Sequence, residues 1–535
     1  MRLLSLVVLL LVAAGCAGGS GATRPEDAAP RIGKPTEADR RAVAALRTEA
    51  EALLAGQAEL FWTAWTGGGA VDLERFYDSY EGLFTRERLA ALQRVRHAET
   101  DPEAARALGF LEDWLVGELL ARETAGIATR LAALEAGAEI AVDGERHDWR
   151  ALEPLLAAEP DPARRRALQE AARPVLEAIA AVHAEKRERL ESAARALGYE
   201  SALAAAAALR QSRKETVGVL AAEVIEATGP LYAEAFGSIA RQLLGEELGA
   251  IARSDVPRLF AGLSVSTRFP ADARGALDAT LRGLGIAADA VRIETGAPSG
   301  RPLAFAVAPP ADVRLALPAT ARDWAPIFHE AGAALHAAHV APGPFEFAVL
   351  GNEATAEAFA VLFENLTADP AWLREHAGMT AAEASAHAGA AAARRLYAAR
   401  RHAGRLEARL AEEQAPEMAA ALYGVAMERA YGFPLSDADR AWHVADADDW
   451  LFGADALRAW ILAAMLEERL VAEHGLAWWR EPEAGAWLRE LWAGGNRASP
   501  EELARRIGGR GLDVQALVRQ LRGRLGPWLP ADNAG

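Results

Sequence analysis

The chemistry-bearing residues of this chain gather in two adjacent stretches, "WAPIFHEAGAALHAAHV" (324–340) and "NEATAEAFAVLFENL" (352–366). The first sets an imidazole, His329, beside a carboxylate, Glu330, in an apolar segment with helical spacing. Two histidines four positions apart share one helical face, so both can reach a metal ion while the glutamate beside the first faces its bound water. Here the fourth position is Ala333, and a methyl group cannot ligate. An isolated His-Glu pair is ordinarily a polar cap or a hydrogen-bonded core histidine. His336 cannot stand in: seven residues along a helix is ~10 Å, whereas two nitrogens sharing zinc each lie ~2.1 Å from it. Glu353 stands one turn before Glu357 and could converge with it. A His329, Glu353 and Glu357 set would suit manganese or magnesium, although a solvated or N-terminal helix carboxylate is the ordinary reading of Glu353.

More residues around this pair fall into a pattern. "DVRLAL" (312–317) lies just upstream, Gly332 and His336 follow His329 at the third and seventh positions, Glu357 comes 28 residues after His329, and Glu364 seven beyond that. Together they resemble the thimet oligopeptidase and oligoendopeptidase F family of zinc peptidases, which carry HExGHxxH, then a glutamate ligand on the following helix and a second glutamate seven residues beyond it. "RERLESAARALGYESALAAAAAL" is similar to that family's N-terminal helical region, and "LWAGGNRASPEELARRIG" to its closing segment. The resemblance covers roughly residues 45 to 520 and is specific only over 312–366. It implies a large, two-lobed, mainly α fold with a deep substrate channel. It implies zinc on His329 and Glu357, with Glu330 acting on the metal's water. It also implies that the strand before the zinc helix offers an open edge to substrate, which makes Val313 and Leu315 the substrate-binding residues.

Two departures bear on activity. If a structural zinc site is worth ~10 to 16 kcal/mol over four ligands, the lost ligand at Ala333 costs about 3 kcal/mol, a hundredfold or more in affinity. Weak or no zinc is the expectation. The second departure lies in "AWHVADADDWLFGADALRAWILAAML" (441–466), where the resemblance implies a histidine followed by tyrosines that bind the oxyanion. His443 matches that histidine, but no tyrosine follows Tyr431. One missing oxyanion donor costs about a hundredfold to a thousandfold in turnover. The plain alternative for His443 is a surface or capping residue beside an acidic loop.

The elements that must hold these residues are overwhelmingly helical. Val175, Ile179, Val182, Leu190 and Leu197 recur at helical spacings, and Gly198 supplies a stop. Similar amphipathic runs fill 102–137, 216–250, 381–428 and 455–473. Strand signals are few: "EIAVDGE" alternates Ile140 with Val142 before an Asp-Gly turn, and "DVRLAL" alternates Val313, Leu315 and Leu317. The expected class is therefore mainly α with one small β-sheet. No repeat or long linker divides the chain, so we expect one domain over 42–525, comprising an N-terminal helical region (42–210) and a metallopeptidase-like region (211–525), with a tail at 526–535.

Ahead of that domain, Arg2, the apolar run Leu3 to Val12 and small residues up to Cys16 have the layout of a bacterial secretion signal, too short for a permanent span. "VAAGC" resembles a lipobox, in which Cys16 becomes the acylated first residue after removal of 1–15. The Gly- and Pro-rich stretch 16–41 reads as a flexible tether. These features predict a lipid-anchored protein on the periplasmic or extracellular face of the cell envelope. Cys16 is the only cysteine, which leaves no disulfide within the chain. A formal net charge of −17 without basic blocks argues against nucleic acid. Short extended peptides are the expected partners. Three functions remain open: an impaired peptidase that binds peptides or acts as a scaffold, an active metallopeptidase with an altered site, and a structural helical lipoprotein.

Overall fold

The computed structural model describes residues 33–529 apart from 69–72, 264–268, 271 and 322. The expected signal segment, Cys16 and most of the tether lie outside the described residues. The first helix, α1 (Glu37–Gly67), begins inside the stretch expected as tether. Its start is polar and so escapes hydrophobic periodicity: Thr36 accepts the Asp39 N–H, and the Asp39 carboxylate accepts the Thr36 N–H.

The chain is mainly α. Its long helices are α2 (Pro102–Gly137), α3 (Arg173–Ala196), α4 (Lys214–Leu244), α5 (Ala325–Ala338), α6 (Glu353–Leu366), α7 (Ala381–Gln414), α8 (Ala419–Tyr431) and α9 (Phe452–His474). Three large apolar cores hold them together. One joins α1 to α2, a second joins α3, α4, α7 and α8, and a third packs α5, α6 and α9 under a sheet. Small residues line α7 where it meets its neighbours, with Ala388, Ala392, Ala393, Ala399 and Ala403 all buried. Arg400 crosses this seam and donates to the Ala430 and Arg429 carbonyls at the end of α8, to the Ile225 carbonyl and to Thr228 Oγ1 of α4. A guanidinium there satisfies carbonyls that a helix end leaves unpaired. Residues 526–528, expected as tail, form a short turn, and Trp528 packs against the core containing α7. Among the described residues no helix is long and apolar enough to cross a membrane.

Among the described residues two small sheets are present rather than one. In the hairpin of β1 (Glu139–Val142) and β2 (Glu145–Asp148), Asp143 and Gly144 both take positive φ, 51° and 82°, as the Asp-Gly signal requires. The second sheet contains β3 (Arg292–Thr295), β4 (Leu303–Ala308) and β5 (Asp312–Leu317), in the order β3-β5-β4. This order corrects the expected open edge at "DVRLAL". β5 is the central strand, parallel to β3 on one side and antiparallel to β4 on the other, so its main-chain groups already have partners. Val313 and Leu315 are 3% and 1% exposed and belong to the apolar core, which leaves no surface for substrate. The other face of β5 is also covered: Arg314 bonds Glu59 of α1, and Ala316 lies in a cluster with Trp62 and Phe305. The edge next to the site is β4.

Candidate functional site

The geometry of the site begins with a glycine. A Cβ on Gly332 of α5 would stand 2.6 Å from the Phe359 carbonyl oxygen and 2.8 Å from the Ala360 Cα of α6. Only hydrogen fits, and that close approach brings the two helices near enough for His329 to reach across. Ile327, Phe328, Ala331, Ala334 and Leu335 bury the apolar face of α5, while His329 and Ala333 face the partly open side.

His329 stands between two glutamates of α6. Its Nε2 lies 3.4 Å from Glu357 Oε2, and its Nδ1 lies 2.9 Å from Glu364 Oε2. Glu364 is held from its other side by Arg395 of α7, with Nη2 at 2.5 Å from Oε1. Arg395 in turn covers the face of Trp460 in α9 at 4.5 Å. The result is a continuous chain of opposite charges, Glu357, His329, Glu364 and Arg395. Burial opposes charge on His329, but Glu357 and the hydrogen bonds to both glutamates outweigh it and raise its pKa well above the ordinary imidazole value. Burial likewise opposes charge on Glu364, yet Arg395 and His329 draw its pKa down to about 2. The two glutamates thus favour the charged ring, which can donate to a carboxylate from each nitrogen.

Glu330 points the other way. Its Oε2 accepts the Ala304 N–H of β4 at 2.9 Å. Burial raises its pKa, with His329 and the Ala304 N–H pulling it back. Ala304 therefore directs its N–H away from β5, and by strand alternation Ala306 does the same.

Glu353 is drawn off to a separate network. Arg210 Nη1 lies 3.1 Å from Glu353 Oε2 and 2.7 Å from Asp455 Oδ2, and Arg458 bridges Asp455 to Glu501. Burial pushes the Glu353 carboxyl up to about 7 against the pull of Arg210. His336 lies in the core, stacked on Phe359 at 5.1 Å, and burial lowers its pKa to about 4. His443 sits on a short turn with Nδ1 against the Arg440 carbonyl, 3.1 Å away. Its charged surroundings are Glu412 and Arg187, so nothing ties it to His329, Glu330 or Glu357.

These donors do not fit zinc. A zinc ion needs three or four ligands. Here Ala333 supplies no donor, which leaves His329 and Glu357 as two ligands where three are needed. Among the described residues no three His, Cys, Asp or Glu side chains group so as to hold an ion. Sequence reasoning missed Arg395 and the network of Arg210, Asp455 and Arg458. The dense arginines of α7 and the acidic residues around 446–455 were the available signal.

No family model and no curated protein sequence matches the chain. Solved structures do. The M32 carboxypeptidase from Deinococcus radiodurans R1 has a TM-score of 0.59 at 18% identity, covering 92% of this chain and 99% of that one. A Pyrococcus furiosus carboxypeptidase scores 0.58 at 15% identity over 92% and 99%. A protein described as oligoendopeptidase F scores 0.62 at 16% identity over 93% of each chain. The chain has the fold of these peptidases. Identity this low carries the architecture and not the activity.

Proposed function

We propose that this chain binds peptides on a peptidase fold whose hydrolytic centre is out of use. We place it at the bacterial cell envelope, anchored by a lipid on Cys16 and serving as a peptide receptor or scaffold. The observation that carries this reading is His329, held through both ring nitrogens by Glu357 and Glu364 beside Ala333. A ring so placed pairs with the carboxylates that a metal would otherwise neutralise.

The peptide surface in this reading is the edge of β4, where Ala306 directs its N–H and carbonyl away from β5 and Ala304 offers its carbonyl, its N–H being held by Glu330. A peptide can add there as a further strand without any metal. Each net hydrogen bond contributes about 1 kcal/mol, and ordering a flexible ligand offsets part of the sum, so affinities of roughly 10 to 1,000 μM follow. Elemental analysis of the purified protein after brief dialysis should find well below one equivalent of zinc, with no cleavage of generic oligopeptides. Calorimetry should find chelator-independent peptide binding in that range. Stoichiometric zinc with chelator-sensitive cleavage would refute the proposal, and absence of peptide heat would leave a structural lipoprotein. Mass spectrometry of the mature N-terminus tests the lipid on Cys16.

A further inference from the structure

In a chain of net charge −17, three arginines crowd around a single carboxylate. Arg401 of α7 donates to Asp446 Oδ1, and Arg253 Nη2 lies 3.6 Å from Asp446 Oδ2. Arg405, one turn beyond Arg401, donates only to main-chain oxygens, those of Asp446 at 2.5 Å and Ala447 at 3.3 Å. Asp446 is 4% exposed at its side chain and also accepts the Tyr423 hydroxyl at 2.6 Å, so both of its oxygens are engaged. Among the described residues no other carboxylate contacts these three guanidinium groups, and the cluster carries two uncompensated positive charges.

Arg253 is the telling member. It stacks 3.9 Å from the Trp442 ring centroid, its side chain is 14% exposed, and among the described residues it donates no hydrogen bond at all. Trp442 is itself pinned by stacking on Trp149 at 5.1 Å. The guanidinium plane is thus fixed by an aromatic face while its donors make no hydrogen bond and only the 3.6 Å ion pair to Asp446. Arg401 beside it keeps 37% of its side chain open to water. Paired, planar, pre-oriented donors of this kind match the two oxygens of a carboxylate. His402, next to Arg401 in α7, packs edge-on to Trp460, the ring that Arg395 covers.

We infer that Arg253, Arg401 and Arg405 bind a carboxylate of the ligand, so that the favoured peptides are acidic. The inference rests on the peptide-binding reading for the rest of the ligand but not for the site itself. The carboxylate comes from a Glu or Asp side chain or from the chain terminus, and both present the same two oxygens to Arg253.

The test is calorimetry on the full-length protein at low salt with four probes. These are an N-acetylated, C-amidated Ala-Leu-Glu-Ala-Leu peptide, its Glu-to-Gln counterpart, that Gln peptide with a free C-terminus, and glutarate alone. The Glu peptide should bind about tenfold more tightly than the amidated Gln peptide, with an advantage that shrinks as salt rises. In Arg253→Gln the advantage should vanish while the amidated Gln peptide binds as before. Arg253→Lys, which keeps the charge and loses the fork, should retain part of it. An Arg253-dependent advantage confined to the free C-terminus would uphold the site and assign its carboxylate to the chain end. Equal binding of all three peptides, or an advantage that survives Arg253→Gln, would overturn the inference. If no peptide binds, the peptide-binding reading fails and glutarate decides the site: heat that disappears in Arg253→Gln upholds it, and absence of heat overturns it. Thermal melts establish that both variants fold, as expected for a side chain without protein hydrogen bonds.

Discussion

Gly332→Ala tests how the site is assembled. The added methyl would meet the Phe359 carbonyl oxygen at 2.6 Å, the Ala360 Cα at 2.8 Å and the Phe363 Cβ at 3.0 Å, where ordinary contact begins near 3.4 Å. Two of these atoms are backbone and cannot swing aside, so α5 and α6 must separate by several tenths of an ångström. Overpacking of this kind costs about 1 to 3 kcal/mol. Alanine's better helix propensity returns roughly 1 kcal/mol, for a net loss of up to about 2 kcal/mol. Gly126, in α2, is the internal control, because nothing lies within 4 Å of its Cβ position. The same substitution there should stabilise by roughly 0.5 to 1 kcal/mol. Urea midpoints of the two variants should therefore move in opposite directions. The reasoning fails if Gly332→Ala raises the midpoint as Gly126→Ala does.

Ala333→His should raise zinc affinity by about a hundredfold or more, read by competition with a chelating dye. Because zinc must displace the proton that Glu357 and Glu364 hold on His329, uptake should strengthen as pH rises, and turnover should stay poor without oxyanion tyrosines. Ala306→Pro removes an outward N–H from edge strand β4 and should abolish peptide binding in a folded protein, whereas Leu315→Pro, in central β5, should unfold it, as circular dichroism would report. Burial lifts buried Glu118 to about 8 from 4.5. Between those values the folded chain keeps a proton that the unfolded chain has released, so this residue's contribution to stability falls as pH rises, by at most about 1.4 kcal/mol per unit. Glu118→Gln should flatten that slope in urea midpoints taken from pH 5 to 7.5, and an unchanged slope would assign it elsewhere.

What the sequence determined by itself is what local contacts encode. Helical class and the Asp-Gly hairpin follow from periods of three to four residues and from turn chemistry, which neighbours along the chain decide, while the placement of His329, Glu330 and Glu357 on consecutive helices was implied by the resemblance. Gly332 was visible as a residue, but its purpose was not. It lies in the close approach of α6, whose Phe359 carbonyl oxygen would stand 2.6 Å from a Cβ, a packing that leaves no period in the sequence. The rank of β5 was hidden for the same reason: its alternation is that of a strand with one free face, whereas its order in the sheet depends on β3 and β4, two short segments with weak signals of their own. Glu353 looked like a partner for Glu357 until Arg210, 143 residues away, claimed it. Arg395 meets Glu364 across 31 residues, and Arg253 meets Asp446 and Trp442 across nearly 200. Only tertiary packing decides such pairings, because a charge buried among helices must find a partner in space, wherever along the chain that partner stands.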